Sequence, residues 1–136
     1  MYRITREPLQ PQALAEKIRN ETHGAVVTFE GIVRGLSEGR KVLYLEYDAY
    51  PGMAESKLRE VGDEIRSRWG VEEVAIHHRV GRVEVGETSL VVVVAAPHRK
   101  EAFAACQYAV DRIKEIVPIW KKEVWEGGEE WVAPHS

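Results

Sequence analysis

The stretch from Ser89 to Ala96 reads Ser-Leu-Val-Val-Val-Val-Ala-Ala, and it constrains the fold more than any other part of the chain. A strand with one wet face alternates apolar and polar residues. A run that is apolar on both faces must instead lie centrally in a sheet covered on each side. The apolar run Leu90 to Pro97 is far too short to span a bilayer. It leads directly into Pro97-His98-Arg99-Lys100, so a strand end meets a helix start there. Unpaired backbone N–H groups at such a junction favour anions, and Arg99 adds a bidentate donor.

The helix that follows is marked by Phe103, Cys106, Val110, Ile113 and Val117, spaced alternately by three and four. That period predicts one buried stripe, with Lys100, Gln107, Asp111, Lys114 and Glu115 largely outside it. Pro118 disfavours helical geometry at Val117 and ends the helix. Beyond it a strand is predicted, with Ile119, Lys121, Glu123 and Trp125 on one side and Trp120, Lys122 and Val124 on the other. Cations therefore stand at both ends of the helix, His98 and Arg99 at its entrance and Lys114 with Lys121 at its exit. A helix of about 16 residues is roughly 24 Å long, too far for the two ends of one chain to meet around one small ligand. Either they serve different sites or a second subunit supplies one end.

Upstream, Pro11, Leu14, Ala15 and Ile18 predict a short helix closed around His23-Gly24. Ala25 to Arg34 alternates as a strand and delivers Arg34 to its edge. Gly35 to Arg40 is the best candidate for a mobile loop. Lys41 to Asp48 is a second strand, and the short connection favours its antiparallel pairing with the first. Met53 to Trp69 reads as an amphipathic helix, buried through Ala54, Leu58, Val61, Ile65 and Trp69. Val74 to Val80 is a third strand, in which His77 and His78 point to opposite faces and cannot jointly chelate a metal. Glu126 to Glu130 is a turn that lets Trp131-Val132 pair back on Lys121 to Trp125.

At 136 residues the chain is expected to form one α+β domain, with a mostly antiparallel sheet and flanking helices. Hydrophobic residues at 44% and charged residues at 30% are ordinary globular values and exclude a disordered tail. With 19 basic and 22 acidic side chains the net charge is −3, which argues against a nucleic-acid coat. A local basic pocket for a small anion remains open. Cys106 is the only cysteine, so neither an intrachain disulfide nor a thiolate metal cage is expected, and its stripe position reads as core. The start lacks the apolar core of a signal peptide, and a cytosolic protein is expected. No phosphate-cradling glycine loop, dinucleotide fingerprint, nucleophile elbow or paired-histidine zinc motif occurs. What remains is the cation set Arg34, His98, Arg99, Lys114, Lys121 and Lys122. A partly buried lysine among them can act as acid, base or nucleophile.

Five motifs in order carry a resemblance that covers nearly the whole chain: Gly31-Ile32-Val33-Arg34, Leu45-Glu46-Tyr47 with Tyr50-Pro51-Gly52-Met53, His78-Arg79-Val80-Gly81, Ala96-Pro97-His98-Arg99, and Pro118-Ile119-Trp120-Lys121-Lys122-Glu123. Together they resemble the large, catalytic subunit of molybdopterin synthase, the MoaE family. The resemblance implies transfer of two sulfurs to a cyclic pyranopterin monophosphate. The donor is the C-terminal thiocarboxylate of a small ubiquitin-like partner ending in Gly-Gly, so no metal and no other cofactor is expected. It further implies a hammerhead-like outline and a homodimer of large subunits inside a heterotetramer. By motif, Lys114 and Lys121 fall on the family's two essential lysines. Arg34, His98 and Arg99 fall on its substrate-pocket residues, with Lys122 and Glu123 continuing that segment. Ile32 departs from relatives that carry a basic residue there. Two other readings of the same cations stand beside it. One is a non-catalytic module binding an anionic peptide tail or a nucleotide; the other is an RNA-binding domain, which the acidic balance disfavours.

Overall fold

The computed structural model describes residues 1–132. The chain runs β1 (Tyr2–Thr5), α1 (Pro11–Ile18), β2 (Ala25–Ile32), β3 (Leu36–Ser37), β4 (Arg40–Ala49), α2 (Pro51–Trp69), β5 (Glu73–Arg79), β6 (Gly81–Glu84), β7 (Thr88–Ala96), α3 (Arg99–Ile116), β8 (Ile119–Trp125) and β9 (Gly128–Val132). It is an α+β fold with two sheets rather than the single sheet expected. The first has the order β1-β5-β7-β2, and only its β1–β5 pair is parallel. The second has the order β3-β4-β8-β9, with β6 also paired to β4.

The Ser89–Ala96 run is the interior strand its composition demands, since β7 lies between β5 and β2 and every residue after Thr88 is buried. Its two faces feed two cores. Leu90, Val92, Val94 and Ala96 pack with α2 and α3, whereas Val91, Val93 and Ala95 pack with Leu14 and Ile18 of α1. A third, smaller cluster of Val33, Val42, Leu45 and Val83 belongs to the second sheet.

Each helix boundary has a local cause. Pro11 and Pro51 sit in the first turns of α1 and α2, where a missing N–H costs nothing. Gly70 closes α2 in the left-handed conformation at φ 67°. Helix α3 ends as expected: Val117 is extended ahead of Pro118, and its N–H still reaches the Ile113 carbonyl at 3.0 Å.

Three expectations fail. The strand Ala25–Arg34 does not pair with Lys41–Asp48: β2 pairs with β7 and β4 with β8, in different sheets. A buried β7 needs a neighbour on each side, and that requirement outweighs the short connection. The Gly35–Arg40 segment is not an open loop but a tight hairpin, with Leu36–Ser37 paired to Arg40–Lys41 through Glu38 and Gly39, both at positive φ. Finally, the buried stripe of α3 is Ala102, Ala105, Cys106, Ala109 and Ile113, while Phe103 is 62% exposed. Alanines let the helix axis approach the sheet closely, so the small residues face inward and the larger Phe103 faces out.

The β7–α3 junction is held by a close backbone approach. Gly24 donates its N–H to the Ala96 carbonyl at 3.1 Å, and a Cβ on Gly24 would lie 2.4 Å from the Pro97 carbonyl oxygen. Gly24→Ala is therefore expected to destabilise the protein by about 1–3 kcal/mol in urea unfolding, because the atom in the way is backbone and cannot rotate aside.

Candidate active site

Where the two sheets meet the C-terminal end of α3, a cavity of about 340 Å³ opens. The end of β2 and the residues after it supply Gly31, Ile32 and Arg34; β4 supplies Tyr47; β5 supplies His78; β7 supplies Ser89 and Leu90. From α3 come Val110, Ile113 and Lys114, and from the Pro118 turn and β8 come Val117, Ile119, Trp120 and Lys121. The apolar walls suit a flat ring, and the cations suit an anion.

Arg34, Lys114 and Lys121 converge here from three separate elements, and none of them has an ion-pair or hydrogen-bond partner among the described residues. Their mutual proximity has an electrostatic signature at Lys121. Partial burial lowers its pKa, the Arg34 and Lys114 charges push the same way, and Glu123 opposes them. A lysine so placed gives up its proton more readily than a solvated one, which is what acid–base or nucleophilic work requires.

The other predicted residues sit elsewhere. His98 and Arg99 are exposed at the opposite end of α3, His98 being 3.9 Å from Glu101 through Nδ1, and neither lines the cavity. Lys122 turns to the other face of β8, as strand alternation requires. There it bridges Glu129 at 2.9 Å and Glu46 at 3.0 Å, and those partners push its pKa up to about 12. Glu123 shares the Lys121 side and accepts a hydrogen bond from Ser37 at 3.2 Å. It lines a second groove, of about 590 Å³, with Arg40, Glu130 and Trp131. Arg34 and Lys121 belong to both spaces, so the groove leads to the cavity.

Residue-type reasoning passed over the cavity's polar floor. The Tyr47 hydroxyl donates to Ser89 Oγ at 3.3 Å, and Ser89 donates to the Gly31 carbonyl at 3.2 Å. His78 is buried beside them, with Nδ1 2.6 Å from the Arg79 carbonyl oxygen. A carbonyl only accepts, so Nδ1 carries the proton. The motifs Leu45-Glu46-Tyr47 and His78-Arg79-Val80-Gly81 held the signal for Tyr47 and His78. Burial holds the Cys106 thiol up at about 11, so it stays protonated and unreactive. Among the described residues no group of three or more His, Cys, Asp or Glu side chains could hold a metal ion. No described helix is long and apolar enough to cross a membrane.

An α+β domain with a cation-lined, ring-sized cavity continuous with a groove is built to bind a small anionic ring and a chain that approaches it. The model of the MoaE protein family matches residues 4–116, and the chain belongs to that family. The molybdopterin synthase catalytic subunit of Halalkalibacterium halodurans is 48% identical over 131 residues, covering 96% of this chain and 84% of that protein. Its counterpart from Staphylococcus aureus is 48% identical over 130 residues, covering 96% and 88%. The crystal structure of Staphylococcus aureus molybdopterin synthase superposes with a TM-score of 0.93 at 47% identity, covering 96% of each chain. A complex of subunits 1 and 2 of the molybdopterin-converting factor from Helicobacter pylori shares the fold, with a TM-score of 0.79 at 22% identity, covering 96% of this chain and 88% of that one.

Burial lowers the His78 pKa from 6.5 to about 4, the Lys121 charge adds to this, and the Arg79 hydrogen bond opposes it. Between those values the unfolded chain binds a proton that the folded chain refuses, so stability falls as pH falls from about 6.5 to 4, by roughly 3 kcal/mol in all. Urea midpoints measured across this range are expected to drop less steeply for His78→Gln than for the native chain.

Proposed function

We propose that this chain is the catalytic subunit of a molybdopterin synthase, a cytoplasmic sulfurtransferase that converts cyclic pyranopterin monophosphate to molybdopterin. The observation that carries the reading is the convergence of Arg34, Lys114 and Lys121, without ion-pair partners among the described residues, on one apolar-walled cavity. A phosphorylated ring supplies both what the walls and what the charges lack. Sulfur comes from the terminal thiocarboxylate of a small ubiquitin-like partner, whose narrow Gly-Gly tail lies along the groove by Trp131 and ends at Lys121. With its one thiol buried and protonated, the chain has no sulfur carrier of its own, so a donor protein must supply the sulfur. Lys121, with its lowered pKa, serves as general acid and base or steadies the thiocarboxylate; Lys114 acts on the pterin covalently or by proton transfer; Arg34 holds the phosphate.

His98 and Arg99 join the site from a second copy of the chain. Arg99 and Lys114 lie symmetrically about the point between Cys106 and Gln107 on α3, and so do Phe103 and Val110. An antiparallel α3 pair across a two-fold axis sets Phe103 on the partner's Val110 and Arg99 beside the partner's Lys114. The groove lined by Val27, Phe29, Phe103, Cys106 and Val110 is the apolar surface such a contact would cover.

With pterin monophosphate and the thiocarboxylated small subunit, the chain is expected to form molybdopterin, read as its fluorescent oxidation product. Lys114→Ala and Lys121→Ala are each expected to lose at least about a hundredfold in kcat. Tight binding of the small subunit with no product from the folded native chain would instead identify a binding module. Mixing Lys121→Ala and Arg99→Ala chains tests the shared site. Random dimers should recover about a quarter of native activity, because one mixed-dimer site keeps both residues intact. Absence of recovery would put the whole site in one chain.

A further inference from the structure

The cavity is rich in donors and poor in acceptors. Arg34 and the ammonium forms of Lys114 and Lys121 only donate. The Tyr47 and Ser89 hydroxyls spend their protons on Ser89 Oγ and the Gly31 carbonyl and keep only lone pairs for a ligand. His78 adds an acceptor on a ring of fixed orientation. Its ring lines the cavity, and its one hydrogen bond among the described residues is spent through Nδ1 on the Arg79 carbonyl. Nε2 therefore keeps a lone pair. It is not one of the sealed, partnerless atoms among the described residues, which are Arg79 Nε and Glu101 Oε2, so its open side is the cavity.

The ring cannot easily swing away. Tyr47 meets it edge to face, with centroids 5.0 Å apart and planes at 71°, and Leu90 lies opposite His78 in the β5–β7 register. Tyr47 in turn pairs across β4 and β8 with Lys121. The charged groups facing this space are Lys121 from β8, Lys114 from α3 and Arg34 from beyond β2, all cationic. No carboxylate contacts the imidazole among the described residues, so nothing there favours a second ring proton.

We propose that His78 Nε2 is the acceptor that orients the substrate's ring: it takes a hydrogen bond from an N–H or amino group on the edge of the bound heterocycle. The cations fix the phosphate end, and the fixed imidazole fixes the rotation of the ring about that anchor. This rests on the cavity being the pterin site. The ligand class it selects is a heterocyclic phosphate with a donor edge. A ring presenting only acceptors there would leave Nε2 unpaired and be rejected.

The test uses the complete enzyme, with thiocarboxylated small subunit and cyclic pyranopterin monophosphate. Gln places an acceptor oxygen near the Nε2 position, whereas Asn reaches only as far as Nδ1 and Phe offers no acceptor. His78→Phe and His78→Asn are expected to raise KM about tenfold to a hundredfold, with a smaller fall in kcat. His78→Gln is expected to restore most of the loss. A merely structural role predicts no such ordering, and equal KM values in folded Phe, Asn and Gln variants would overturn the proposal. Nitrogen NMR of the histidine-labelled native chain, which needs no variant, is expected to show one imidazole with an unprotonated Nε2 whose signal moves when pterin monophosphate is added. An unmoved signal at saturating ligand would overturn it too. If the native enzyme itself makes no product and binds no pterin, the reading of the cavity fails instead.

Discussion

Everything in this fold hangs from a strand that has no wet side. Because β7 is buried on both faces, it needs a helical cover above and below and a strand on either edge. Those requirements recruit α1, α2, α3, β2 and β5. The second sheet is added where the first sheet's connections leave it, after β2 and after α3. The cavity lies along that join, so its residues come from six elements although the chain is short. A rigid first sheet thus positions a site that it only partly supplies, and side chains on strands and helix ends keep their geometry better than side chains on loops.

The cavity's chemistry is an imbalance that the protein maintains at a cost. Among the described residues three cations share this space with no ion-pair partner and only the more distant Glu123 to relieve them, while nearby cations are paired: Lys122 with two glutamates, Arg112 with Glu64, Arg79 with Glu87. Sequence neighbours therefore have opposite fates, and β8 shows why. Alternation sends Lys121 to the cavity and Lys122 to a carboxylate pair on the other face. Burial, and after it the Arg34 and Lys114 charges, lowers the proton affinity of Lys121, and an anionic ligand would relieve the crowding of like charge. Substrate binding and electrostatic relaxation then become the same event.

Much of this was legible in the residues. The double-sided apolar run, Pro11 at the start of α1 and the Val117–Pro118 stop are local signals with local causes, and the elements they predict are present. So is the β8–β9 hairpin. Of the three failures the hairpin at Glu38-Gly39 is local, and the strand pairing and the α3 stripe are non-local. Nothing between Ala25 and Asp48 states that β2 will be claimed by a strand some sixty residues later. Nothing in the spacing of Phe103, Cys106 and Val110 tells whether that stripe meets its own sheet or another molecule, since both burials have the same period. Residues of α3 were judged by size, and the alanines that line its inner face were invisible to that test. At the site, the cations were found by type and motif. Tyr47, Ser89 and His78 were not, because a hydroxyl or a neutral imidazole becomes a wall residue only through the packing that turns it inward.

The strict alternation along β8 has a consequence for how such a chain can vary. The cavity-facing Lys121 and the glutamate-paired Lys122 occupy adjacent positions and are told apart only by parity. Loss or gain of a single residue between the Pro118 turn and Lys121 would exchange them. It would send the cavity's lysine to the glutamates and the paired one to the cavity, with total charge and composition almost unchanged. Length in this strand is thus under tighter constraint than identity at many of its positions. A change of length at the Glu126-Gly127 turn, beyond the last of these lysines, leaves their parity untouched and shifts only the register of β9.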